Sequence, residues 1–233
     1  MKNTTILILE CANAHGGDLG VLVETIKTFS AIEYDNKHIK FQPFHPETIS
    51  LKDFSWHEIY HQLQFTPKEW GQIIDTATTK YNGVWLDIFD VYGIEILTDN
   101  MSKLTGIKLQ ASVLENHELL LGLSQLDLSS IKLMINVSGY ELSDIDIFME
   151  QFSNLNIKQL ILQIGHQAYP TKVKDTGLQK IAVLKEAYQG VEICVADHID
   201  ASHEMATIIP LLGLSFTVCF HSSNFFCSLF TFN

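Results

Sequence analysis

Arginine is absent from this 233-residue chain, and all 15 of its basic side chains are lysines. Any anion held in its interior must be met by ammonium groups, hydroxyls, amides and helix N-termini, without the bidentate fork of a guanidinium. Positive charge is also outnumbered, because 27 acidic residues leave a formal net charge of −12. That balance speaks against nucleic acid as a partner, since neutralising a phosphate backbone takes clustered Lys and Arg. Cysteine is scarce. The four that occur (Cys11, Cys194, Cys219 and Cys227) lack CxxC spacing, and three lie in or beside apolar runs. They read as reduced structural thiols rather than a disulfide frame. No apolar run is long enough to span a bilayer, so no membrane partner is expected. The first residues pass into the strand-like TTILILE without the pattern of a secretory leader, and a cytoplasmic location is expected.

What the chain does have is eight short apolar runs, at residues 5–10, 38–44, 84–90, 107–112, 132–138, 160–167, 191–198 and 214–221. Most end in polar or ionisable residues. Between them lie windows with helical spacing, at 19–30, 66–77, 91–104, 116–123, 143–152, 175–188 and 202–212. Strands alternating with helices predict parallel β/α units, and eight such units predict a closed (β/α)8 TIM barrel. The length fits one such domain, which typically runs to about 250 residues. Thr66 opens a capping-box pattern with Pro67 at the first helical position. The long connection at 45–83 is expected to carry extra elements near the active face. The last sixteen residues, 218–233, hold five phenylalanines and no charge. The expected division is a barrel domain at 1–217 and an atypical apolar tail at 218–233, either packed on the barrel or non-native. No amphipathic closing helix is legible after the eighth run.

In such a barrel the chemistry sits at the C-terminal strand ends, and polar residues collect there. Asp197 and His198 end the seventh run, and His221 ends the eighth, its neighbour in a barrel. Two adjacent imidazoles with water and substrate oxygens would make an open Lewis-acid site; the alternative is a pair of structural histidines. Glu10 ends the first run, followed by Ala14, His15, Gly16, Gly17 and Asp18. It reads either as a general base or as part of an ordinary strand–helix turn. Lys40 with Gln42, and Lys108 with Ser112, lie within apolar runs. A lysine there either points into a polar site or snorkels outward; two of them suggest an anion site. Ser138 and Gly139 offer a hydroxyl and an amide, and Gln167 and Tyr169 an amide and a phenol beside Pro170.

Taken in order, these segments resemble the sialic acid synthase family, the N-acetylneuraminate synthase-like enzymes. The family's E-I-G-x-N-H-x-G-D is matched by Glu10, His15, Gly17 and Asp18, and its V-K-F-Q-x-F by Ile39, Lys40, Phe41, Gln42, Pro43 and Phe44. Its K-I-x-S corresponds to Lys108, Leu109, Gln110, Ala111 and Ser112, with the serine displaced by one. Its Y-P-T is present as Tyr169, Pro170 and Thr171, and its A-D-H as Ala196, Asp197 and His198. The resemblance implies a carbon–carbon bond-forming transferase of surface-polysaccharide biosynthesis. Such an enzyme condenses phosphoenolpyruvate with an N-acylated amino sugar to give a nonulosonic, sialic-acid-like acid. It implies Glu10, Lys40 and Lys108 as catalytic residues, with Lys40 and Lys108 on phosphoenolpyruvate. His15, Gln42, Asp87, Ser112, Ser138, Gln167, Tyr169 and Asp197 would bind substrate, and His198 and His221 would hold Mn2+ or Mg2+. A homodimer would follow by the same resemblance.

The chain departs from the family's pattern at several points. Ala14 replaces an asparagine, Val113 a glutamate, and Asp87 falls where a small hydroxyl is usual. Phe220 falls on the second metal-ligand position, so His221 is one residue late and serves only if a bulge or the strand end re-aims it. The family's antifreeze-like domain, which supplies an arginine to a partner's site, is not legible here. The alternatives are a non-catalytic, truncated or pseudoenzyme barrel, or another metal-dependent aldolase or isomerase barrel.

Overall fold

The computed structural model of the chain describes residues 5–165, 168, 170–199 and 216–221, the last six as backbone. Eight parallel strands close into a barrel in chain order. They are β1 (Ile6–Glu10), β2 (Lys37–Phe41), β3 (Gly83–Ile88), β4 (Gly106–Leu109), β5 (Leu128–Asn136), β6 (Ile157–Ile164), β7 (Glu192–Asp197) and β8 (Phe216–His221), and β8 pairs back onto β1. The strands are near-continuous apolar runs because both faces are covered; every residue of β3 is buried. The expected (β/α)8 fold is the one observed.

The helices of the outer ring form where the sequence caps them. α1 (Leu19–Ser30) starts at Asp18, whose side chain accepts the Val21 N–H. Two short helices, α2 (Pro46–Ile49) and α3 (His57–Leu63), occupy the long connection after β2. α4 (Pro67–Thr78) carries the full capping box of Thr66 and Glu69. α5 (Val91–Asn100), α6 (His117–Ser124), α7 (Leu142–Ser153) and α8 (Lys180–Ala187) complete the described crossovers. The 91–104 window is helical only to Asn100 and then tightens into a 3-10 turn, Met101–Lys103. The 175–188 window begins later than expected, because Gly177 sits at φ +68° and interrupts any helix before Lys180. The 202–212 window lies outside the described residues.

Two further expectations change. β5 begins at Leu128 rather than at 132, with a register shift between Leu128 and Lys132; exposed Ser129 and Ser130 break the apolar pattern there. The barrel does not stop at 217. β8 runs on through Val218–His221 with its backbone paired to β1 and β7, so the eighth strand crosses the expected boundary with the tail. Residues 222–233 lie outside the described residues.

Alternate strand residues share a face, which splits the apolar core in two. Ile8, Trp85, Met134, Ile161, Cys194 and Ala196 fill the barrel interior. The other rows, such as Leu9, Ile39, Leu86 and Ile107, pack outward under helices that contribute Leu22, Ile73 and Ile96. The interior tryptophan is anchored at its polar end, Trp85 Nε1–H donating to His38 Nδ1 at 2.9 Å.

Candidate functional site

The register of the first four strands builds a charged layer at the C-terminal end of the barrel. Glu10 lies opposite Lys40 across β1 and β2, and Asp87 opposite Lys108 across β3 and β4. Glu10 and Asp87 stand two residues beyond Ile8 and Trp85 of the interior layer, so they share its face. All four side chains are buried. Lys40 Nζ is 3.1 Å from Glu10 Oε2 and 3.4 Å from Asp87 Oδ2, and Lys108 Nζ is 2.8 Å from that same Asp87 oxygen. Gln42 donates to Glu10 Oε1 at 2.6 Å and to Asp87 Oδ2 at 3.3 Å, while Gln110 donates to Asp87 Oδ2 at 3.4 Å.

The balance explains how such a layer survives burial. An isolated ion in a protein interior costs several kcal/mol even after relaxation. Here two ammoniums meet two carboxylates, and the cluster is formally neutral. Neither lysine snorkels. Four donors, from Lys40, Lys108, Gln42 and Gln110, converge on one oxygen, which defines an anion seat without arginine. The chain's own Asp87 fills that seat. The other Asp87 oxygen, Oδ1, finds no hydrogen-bond partner among the described residues.

The opposite side of the mouth is built from neutral groups. Asn136 donates to Gln163 Oε1 at 3.3 Å, and Ser138 Oγ lies 2.8 Å from Asn136 Oδ1. Ser138 Oγ also accepts the Gly165 N–H at 2.8 Å. Gly165 is required there: its φ is +152°, and a Cβ would come within 2.4 Å of the Ala196 carbonyl oxygen. Gln110, Asn136 and Gln163 were not among the site residues read from the sequence. The signal that could have found them is a polar side chain two positions after an inward residue, Lys108 for Gln110, Met134 for Asn136 and Ile161 for Gln163.

The remaining candidates are dispersed. His15 is buried in the turn after β1, where its Nδ1 accepts the Gly17 N–H at 3.0 Å and its ring packs on Phe65. Burial lowers its pKa to about 4, so it is a neutral imidazole. Ser112 is exposed in a 3-10 turn beyond β4, away from the lysine pair. Asp197 continues the outward row of Ile193 and Val195, and its Oδ1 accepts the Ile199 N–H at 3.0 Å. Gln167 and Tyr169 lie outside the described residues.

The two histidines assigned to metal end adjacent strands. His198 is buried immediately after β7, and its backbone oxygen accepts the Thr171 N–H at 2.7 Å. The β7–β8 ladder runs regularly to Asp197 opposite Phe220, so its next step sets His198 beside His221. On the other side, His221 is registered opposite Glu10 with no slip in the β1–β8 ladder. No bulge interrupts the ladder: His221, the last residue of β8, is registered opposite Glu10, and Phe220 opposite Leu9. By backbone placement, two imidazole-bearing positions beside a carboxylate fit a divalent ion. A different group has its ligand atoms together already. Those of Glu47, His57 and His61 lie within 4.8 Å of one another on the α2–α3 connection. The sequence reading passed over it, although His-x3-His on one short helix is the signal that could have found it.

The chain is similar to known proteins in both profile and shape. The profile of the NeuB family matches residues 26–213. No curated protein gives a significant match. Among solved structures, the N-acetylneuraminic acid (sialic acid) synthetase of Leptospira borgpetersenii superposes with a TM-score of 0.79 at 22% identity, covering 94% of this chain and 73% of that one. A protein described as spore coat polysaccharide biosynthesis protein E, from Chromobacterium violaceum, gives 0.79 at 18% identity, covering 93% and 66%. The spore coat polysaccharide biosynthesis protein of Bacillus subtilis gives 0.74 at 18% identity, covering 93% and 59%. The chain thus spans about two thirds of the length of these structures, and at such identities the likeness is one of fold. The profile, which covers most of the sequence, carries the assignment: the chain belongs to the NeuB family.

Proposed function

We propose that this barrel binds phosphoenolpyruvate and an open-chain N-acylated amino sugar and joins them into a nonulosonic acid, as a synthase of surface-polysaccharide biosynthesis. Family membership supports that class of role. The observation that carries the reading is the convergence of two buried lysines on one point at the barrel mouth. An ammonium pair in a dry interior requires a counter-anion, and the carboxylate of Asp87 marks the point at which both lysines hold one.

In this reading Lys40 and Lys108 hold the phosphate and carboxylate of phosphoenolpyruvate, with Gln42 and Gln110 fixing its orientation. Its C3 carbon attacks the sugar aldehyde, water adds at C2, and the C2–O bond to phosphate breaks to release inorganic phosphate. Glu10 accepts the proton of the attacking water, since its carboxylate lies beside Lys40 in the same layer. His198 and His221 would hold a divalent cation, Mn2+ or Mg2+, which would polarise the aldehyde. The amides of Asn136 and Gln163, with Ser138, would meet the neutral hydroxyls of the sugar.

The test is release of inorganic phosphate from phosphoenolpyruvate in the presence of Mn2+ and a panel of N-acylated amino sugars. Sugar-dependent release supports the reading; phosphoenolpyruvate binding without release for any sugar overturns it. A second reading, a non-catalytic barrel of the same lineage, rests on Asp87. A carboxylate already bound to both lysines competes with any incoming anion. Phosphoenolpyruvate binding that emerges only in Asp87→Ser would favour this second reading.

A further inference from the structure

We propose that Glu47, His57 and His61 form a zinc-type metal site on the α2–α3 connection, separate from the barrel centre. The three distances among the ligand atoms are 3.1 Å for His57 Nε2 to His61 Nε2, 3.2 Å for His61 Nε2 to Glu47 Oε1, and 3.6 Å for His57 Nε2 to Glu47 Oε1. Zinc binds nitrogen and carboxylate oxygen at about 2.0–2.1 Å in tetrahedral geometry, which sets neighbouring ligands about 3.3–3.4 Å apart. The observed triangle has that size, and an ion at its apex touches all three atoms.

The surrounding bonds prepare those atoms. Ser50 Oγ lies 2.8 Å from His57 Nδ1 and 3.4 Å from the Pro46 carbonyl oxygen. With its hydroxyl directed to that carbonyl, Ser50 accepts the Nδ1–H of His57. The Nε2 lone pair of His57 then faces Glu47 and His61, the arrangement a ligating imidazole needs. Lys52 sits 3.6 Å from the other oxygen of Glu47, Oε2, and leaves Oε1 to the histidines. His57 is buried, whereas the side chains of His61 and Glu47 are each 41% exposed, so a fourth position is open to water. Two imidazoles and one carboxylate with an open position suit zinc and its neighbours, not Mg2+ or Ca2+, which take oxygen ligands.

The placement gives the site a role. α2 and α3 leave the C-terminal end of β2, on the same face as the charged layer. α3 is pressed against the turn that carries His15: at Gly17 (φ +82°) an added Cβ would lie 1.8 Å from the Gln62 carbonyl oxygen. An ion joining α2 to α3 would fix this connection over the barrel mouth.

The test is titration of the chelator-stripped full chain with cobalt(II), followed by displacement with zinc. Visible absorption reports nitrogen coordination, and metal analysis reports stoichiometry. The wild-type chain is expected to take up one equivalent at this site. His61→Gln and Glu47→Gln, both half-exposed positions whose folding is checked by circular dichroism, should each weaken it by about 100-fold or more, the upper end of what even an outer-shell partner contributes. Any second equivalent, held at His198, should persist in both variants. Unchanged stoichiometry and absorption in both variants, or no uptake by the wild-type chain, would overturn the proposal.

Discussion

Two polar clusters near the barrel mouth obey opposite rules. The Glu10, Lys40, Asp87 and Lys108 layer is buried and satisfies its charges internally. The Glu47, His57 and His61 group is half open, and its three ligand atoms face one another. In the interior, water cannot screen a charge, so each ion must bring its own counter-ion from a neighbouring strand. At the rim, water does that work, and the group keeps its lone pairs for a metal. The buried cluster thus carries its own counter-ions, which an incoming anion would have to displace, while the open one keeps its lone pairs available.

The largest expected effect comes from unbalancing the buried layer. Lys40→Met leaves two carboxylates facing one ammonium and should cost about 3–5 kcal/mol of folding free energy, read from denaturant midpoints. Adding Glu10→Gln restores the charge balance and should return part of that loss. A single-variant cost below about 1 kcal/mol would put Lys40 on a par with surface pairs and break the comparison. Next comes Asp87→Ser, which empties the anion seat while keeping both lysines. Inorganic phosphate should then bind about ten- to a hundredfold more tightly, a gain of about 1.4–2.7 kcal/mol. Unchanged phosphate affinity by calorimetry would mean that Asp87 does not compete for the seat.

The unequal legibility of the two clusters has a physical cause. All eight strands and the cap at Thr66 are local patterns, and each was readable from hydrophobic period and cap chemistry. Lys40 and Lys108 were readable because a lysine inside an apolar strand is anomalous. The tie between them was not. Asp87 is 47 residues from Lys40 and 21 from Lys108, and only the barrel's register brings its carboxylate to both. A motif comparison marks Asp87 as a departure without saying that it fills the anion seat. The partner of His221 was unreadable for a similar reason, since alignment to a pattern counts residues whereas the ladder counts partners. Glu47 and His57 are brought together by two short helices in a connection without periodicity, where sequence spacing carries little geometric information.

Protonation gives a smaller effect. Burial, aided for His38 by Lys132, lowers the pKa of both His15 and His38 from 6.5 to about 4. Between those values the unfolded chain binds the extra protons and the folded chain does not. Their contribution to stability is therefore complete above about pH 6.5 and is lost progressively as the pH falls toward 4. His38→Gln, which keeps an acceptor for the Trp85 N–H, should flatten the dependence of melting temperature on pH across that window. An unaltered slope would assign the loss to other groups.

The smallest effect should come from the open cluster without its ion. Lys52 and Glu47 pair at 3.6 Å with side chains 83% and 41% exposed, a geometry in which solvent screening and side-chain entropy offset the attraction. In chelator, Lys52→Met and Glu47→Gln should leave the denaturation midpoint of the chain unchanged. In zinc at about 100 times its dissociation constant, the wild type should gain about 2.7 kcal/mol by mass action, and Glu47→Gln should gain far less. A large loss for Glu47→Gln already in chelator would show that the open cluster supports the fold by itself, as the buried one does. The distinction between a cluster that carries its own counter-ions and one that keeps its lone pairs available would then fail at its open end.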